Sequence, residues 1–167
     1  MLAWGKKVPE EFRNRVREVA RTLGTDVNHL MACMAFESGE TFSPSIRNAA
    51  GSGAVGLIQF MPSTAGALGT TTEALAAMTA VQQLKYVEKY FKSRKGKLHS
   101  LEDVYMAILW PAAIGKPDDY VLFAKEPLNK YQKWLYSVYT NRLQTETRPL
   151  SPFFIAHGAM FAPFGVL

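Results

Sequence analysis

Apolar residues return at helical spacing along most of the chain. Phe12, Val16, Val19, Ala20 and Leu23 share one face, with Glu10 and Glu11 in the first turn and Gly24 after the last member. An amphipathic helix with Pro9 at its first position is expected there. A second helix is expected behind Thr25 or Asp26, carrying Val27, Leu30, Met31 and Met34 on one face and running to Ser38 before Gly39. Residues 42–55, rich in Ser, Asn, Gly and Pro, follow neither period and read as a long ordered loop. Short helices follow over 62–68 and, behind Thr70-x-x-Glu73, over 73–77. A longer helix runs from Ala80 to about Arg94 behind Thr79-x-x-Gln82, with Leu84, Val87 and Phe91 inward. Ser100-x-x-Asp103 then opens a helix holding Val104, Tyr105, Ile108 and Leu109, which Pro111 closes. The last helix is expected from about Pro127, with Tyr131, Trp134, Leu135, Val138 and Tyr139 at helical spacing. No run alternates long enough for a strand and no segment repeats, so an all-α, helix-dominated single domain is expected.

Composition narrows the setting. A chain of 167 residues suits one core, and 48% hydrophobic with 20% charged residues excludes both a disordered polyelectrolyte and a membrane bundle. Nineteen Lys+Arg against 14 Asp+Glu leave +5, which favours an anionic partner: nucleic acid, a membrane surface or an acidic wall polymer. Cys33 is the single cysteine, so no intrachain disulfide and no multi-cysteine metal site can form. Lys6 and Lys7 are not followed by an apolar core segment, so no secretory signal is expected. Residues 149–167 lack charge but are broken by Pro149, Pro152 and Pro163, which argues against a spanning helix.

Two local patterns carry little chemistry. Gly51, Gly53 and Gly56 match G-x-G-x-x-G, yet a polar loop rather than a strand precedes them and no βαβ unit follows, so a tight loop is the better reading. His29 and Cys33 stand four apart and would share a helix face, but two ligands do not make a metal site, and His99 and His157 are distant. Glu37 differs. It follows Met34 by three residues and Leu30 by seven, so the helix that buries those side chains points this carboxyl the same way. Such an acid is either an ion-paired or capped helix-end glutamate, or a desolvated proton donor with a raised pKa.

The segment Glu37-Ser38-Gly39, followed after a loop by Gly51-Ser-Gly-Ala-Val-Gly-Leu-Ile-Gln-Phe-Met-Pro-Ser-Thr-Ala65, resembles the lytic transglycosylase and goose-type lysozyme superfamily over about residues 10–120. It is most similar to phage-borne members, endolysins and tail-associated wall-degrading domains. The resemblance implies a lysozyme-like fold with a sugar-binding cleft, and Glu37 as general acid/base on the bond between N-acetylmuramic acid and N-acetylglucosamine. It also implies Gln59 as a ligand in the cleft, and Ser38, beside the acid, as a substrate-binding residue. Gln59 offers amide donors and a carbonyl acceptor suited to an N-acetyl sugar, and Gly53 and Gly56 would let the loop backbone approach the saccharide. Where the family carries Ala-Tyr-Asn-Ala-Gly, this chain has Ile108-Leu-Trp-Pro-Ala-Ala113, so Trp110 stands at the cleft tyrosine as sugar platform or as core. Glu40 and Thr41 look inserted relative to the family's shorter Glu-Ser-Gly-Phe.

Ordinary glycosidases use two carboxylates. Between Glu37 and Thr72 only Glu40 is acidic; it reads as a cleft-side acid or a solvated loop residue. Glu37 acting alone would give 1,6-anhydro-muramic products, and a second carboxylate would make the chain a hydrolytic muramidase. Residues 1–127 are expected to form the catalytic domain, with 128–167 a cationic helix and apolar tail on it. In that segment Lys130, Lys133, Arg142 and Arg148 outnumber Glu146, among Tyr131, Trp134, Tyr136 and Tyr139. This helix either docks on the core or lies on an anionic outer-membrane or lipid surface. A non-catalytic wall- or membrane-binding module acting through it is the alternative from another class. The expected partner is the peptidoglycan glycan strand, with no nucleic acid, no cofactor and a monomeric state. The expected site of action is periplasmic peptidoglycan after synthesis in a host cytoplasm, reached through a holin or from a virion.

Overall fold

The computed structural model describes residues 1–49, 51–117 and 120. A 3-10 turn at Gly5–Lys7 leads into α1 (Glu10–Leu23), α2 (Val27–Glu37), α3 (Pro62–Ala67), α4 (Thr72–Ala76), α5 (Ala80–Phe91) and α6 (Leu101–Leu109). Further 3-10 turns at Lys92–Arg94 and Pro111–Ala113 follow α5 and α6. The expected helices from 127 onward, and with them the division at 127/128, lie outside the described residues. The all-α, lysozyme-like class holds, and no strand forms among the described residues: Val55 makes isolated bridges to Arg47 and Phe60.

Local chemistry accounts for most boundaries. Phe12, Val16, Val19, Ala20 and Leu23 are buried on α1, which ends where Gly24 turns left-handed at φ 73° and its N–H returns to the Ala20 carbonyl at 2.9 Å. Pro9 caps α1 rather than opening it, since its ψ of 164° is extended. Asp26 caps α2 by accepting from the Asn28 N–H at 2.7 Å. The capping boxes Thr79–Gln82 and Ser100–Asp103 are both closed. The expected Thr70–Glu73 box is not: the cap is Thr71, which accepts from the Ala74 N–H, α4 starts at Thr72, one residue before the expected 73, and Glu73 instead accepts from the Thr72 hydroxyl.

The helix α2 is more central than a one-faced pattern predicts. Leu30, Met31, Ala32, Cys33, Met34 and Ala35 are all buried in succession, so every side of its second half meets protein. It packs against α1 on one side and α6 on another, with α5 closing over α1. The Phe36 and Tyr105 rings meet edge to face at 5.3 Å across the α2–α6 contact. The small residues Ala32, Cys33 and Ala35 allow that close wrapping, and the wrapped helix delivers Glu37 at its last turn.

Candidate active site

Glu37 is the last residue of α2 and is half-buried. The chain leaves it through a turn fixed by Ser38, which is fully buried. The Ser38 hydroxyl donates to the Met34 carbonyl at 2.6 Å and accepts from the Phe42 N–H at 3.0 Å. With both bonds made inside the protein, Ser38 fastens the turn that follows the acid. Gly39, Glu40 and Phe42 all adopt positive φ (57°, 60° and 52°), so the reversal after the acid is tight and disfavoured for the two residues that carry a Cβ.

Phe42 is buried edge to face on Phe12, and from it the loop passes to the segment that carries Gln59. Val55 and Phe60 exchange both backbone hydrogen bonds, at 3.1 and 2.8 Å, around a four-residue tip. At the tip's end Gln59 holds φ 51°, a strained value for a residue with a Cβ. Its Nε2 donates to the Gly56 carbonyl at 3.1 Å and, more weakly, to the Ile46 carbonyl at 3.4 Å. The amide nitrogen therefore braces the loop, and Oε1 is the atom left to accept from a sugar hydroxyl or N-acetyl N–H.

The two loop glycines leave room for side chains of the protein itself. Gly53 faces Pro62 Cγ at 3.2 Å from where a Cβ would stand, and Gly56, at φ 82°, faces Gln83 Oε1 at 2.3 Å. Gly56 thus clears space for a buried side chain. Gln83 was not singled out from the sequence, yet it ties the whole loop down. Its Oε1 accepts from the Leu57 N–H at 2.7 Å, and its Nε2 donates to the Pro44 and Leu75 carbonyls at 3.0 and 2.9 Å. The available signal was spacing: Gln83 precedes inward Val87 by four residues, so it belongs to the buried face of α5.

Three further groups surround this arrangement. Glu40 is bound by Lys7 Nζ through Oε2, and that bond, chiefly, holds its carboxyl below the usual carboxylate range. Trp110 caps α6, half-buried and packed against the core; α6 ends there because Pro111 cannot continue it. Burial pushes the Cys33 thiol well above its ordinary value of 9.0, and the Glu37 and Glu102 carboxylates push it further. Of those two acids, Glu37 ends α2 and Glu102 lies in the first turn of α6. The neutral thiol is expected to resist alkylation in the native protein and to react on unfolding, as thiol titration with and without denaturant would measure. Because the folded pKa is raised, this contribution to stability is present below pH 9.0 and declines as the pH rises beyond it.

An all-α, lysozyme-like domain with a half-buried glutamate ending its core helix is the class defined so far. Residues 15–109 match the transglycosylase SLT domain, and the chain belongs to that family. It is a lytic transglycosylase-type enzyme whose substrate is peptidoglycan. The match contains Glu37, Gln59 and the Gln83 brace and stops one residue short of Trp110. No curated protein and no solved structure matches this chain.

Proposed function

We propose that Glu37 alone performs both proton transfers in breaking the β-1,4 bond between N-acetylmuramic acid and N-acetylglucosamine. Its carboxyl proton passes to the glycosidic oxygen as the bond from C1 breaks. The carboxylate then takes the proton of the C6 hydroxyl as O6 closes on C1, which leaves a 1,6-anhydro ring and restores the acid without consuming water. The sugar's N-acetyl group shields C1 between the two steps, and Gln59 Oε1 holds the substrate by accepting from it. The observation that carries this reading is the engagement of Glu40 by Lys7, which occupies the carboxylate nearest to Glu37 along the sequence. Mass spectrometry of digested peptidoglycan is expected to show muropeptide ends lighter by one water than reducing ends.

Glu102 favours a second reading, hydrolysis with two carboxylates, because it acts on the same thiol as Glu37. Ordinary reducing ends, together with loss of activity in Glu102→Gln, would establish it in place of the first. Cell lysis or wall penetration by a phage is the setting we infer, on the likeness of residues 37–65 to phage-borne members; lysis of a host expressing the chain with and without a holin tests it.

A further inference from the structure

We infer that Trp4, Lys7 and Glu40 form a clasp through which the N-terminal segment positions the turn that carries Glu37, so that Glu40 acts as a positioning residue for the acid. This rests on the reading of Glu37 as the proton donor. Residues 3–8 run alongside α2 and are fastened near both of its ends. At the beginning, the Ala3 N–H donates to Asn28 Oδ1 at 2.8 Å, in the first turn of α2. Past the end, Lys7 Nζ donates to Glu40 Oε2, three residues after Glu37.

The segment is itself stiffened for this role. Arg13 Nη1 donates to the Gly5 and Val8 carbonyls at 3.1 and 2.8 Å, and the Lys7 N–H closes on the Trp4 carbonyl at 2.9 Å. Trp4 is held at φ 52°, a conformation its Cβ disfavours. At the other side of the clasp, Glu40 stands at φ 60° between Gly39 and the buried Phe42, with its N–H on the Ala35 carbonyl at 2.6 Å. The ion pair therefore ties a segment whose Trp4 backbone is disfavoured to a turn whose Glu40 backbone is disfavoured. The hydrogen bond from the Lys7 ammonium holds the Glu40 carboxyl below the usual range, so Glu40 is a carboxylate at neutral pH. Trp4 and Lys7 lie before residue 15, where the family match begins, and Glu40 belongs to the dipeptide that lengthens the turn, so the clasp is a device of this chain.

Half of the Lys7 side chain and about a third of that of Glu40 are exposed, so the pair is open to screening by salt. In the full chain, Lys7→Met and Glu40→Gln are each expected to lower kcat on soluble glycan-strand fragments by about 3–10-fold, with KM within about twofold. Amide hydrogen exchange at residues 39–42 should speed up in both. The exchanged pair Lys7→Glu with Glu40→Lys should restore both readouts. Unchanged kcat or unchanged exchange at 39–42 in the single variants would overturn the clasp, and so would a loss that the exchanged pair leaves in place. Cleavage surviving in Glu37→Gln would instead remove the reading of Glu37, while the exchange data would still decide the clasp.

Discussion

Replacing Glu37 by Gln is expected to slow peptidoglycan cleavage by about 10²–10⁴-fold, the range that a positioned general acid/base contributes. The substitution keeps size and hydrogen-bonding shape but removes the proton that the leaving oxygen needs and the carboxylate that collects the proton of the closing hydroxyl. Since Glu37 is half-buried at a helix end rather than inside the core, the fold should persist. Dye release from labelled sacculi measures the rate, and co-sedimentation with unlabelled sacculi measures binding. Lost release with retained binding supports the enzyme. Equal release by the variant and the parent would move the activity away from Glu37 and towards a module that acts by binding.

Replacing Gln83 by Leu should have the largest effect on stability. Leucine fills similar space but leaves the Leu57 N–H and the Pro44 carbonyl without their partner, and the Leu75 carbonyl with the Met78 N–H alone, in a place where Gln83 is fully buried. Each of the two orphaned backbone groups costs about 1–3 kcal/mol, so a loss of roughly 2–6 kcal/mol is expected, a large share of the about 5–15 kcal/mol that holds a domain folded. Thermal unfolding followed by circular dichroism should show a midpoint lower by about 10 °C or more. Gly56→Ala strikes the same contact from the other side, because its Cβ would stand 2.3 Å from Gln83 Oε1 on a backbone at φ 82°. The two substitutions share one interaction, so their combined loss should fall short of the sum of the separate losses. Simple additivity would mean that Gly56 and Gln83 act independently.

These two residues differ in how far the linear chain disclosed them. Glu37 was visible because the apolar period of Leu30 and Met34 aims a carboxyl inward and because the following residues carry a family resemblance. Gln83 was hidden in plain helical spacing: a glutamine on α5 gives no sign that backbone groups of Pro44, Leu57 and Leu75 will converge on it. Ser38 and Gly56 were legible as special positions, but their neighbours were not: folding places Met34, Phe42 and Gln83 beside them.

The sequence by itself determined the α-helices, most of their caps, the loop that follows α2 and the acid that ends it. These depend on periodicity, on side chains within three or four residues, and on where glycine and proline interrupt. Tertiary structure alone decided that α2 is surrounded on all sides, that Gln83 braces the loop, and that Glu40 answers to Lys7 across 33 positions of chain. Each of these joins residues far apart in sequence. Hydrogen bonds and ion pairs act over a few ångströms, so their partners are known only once packing has brought the segments together.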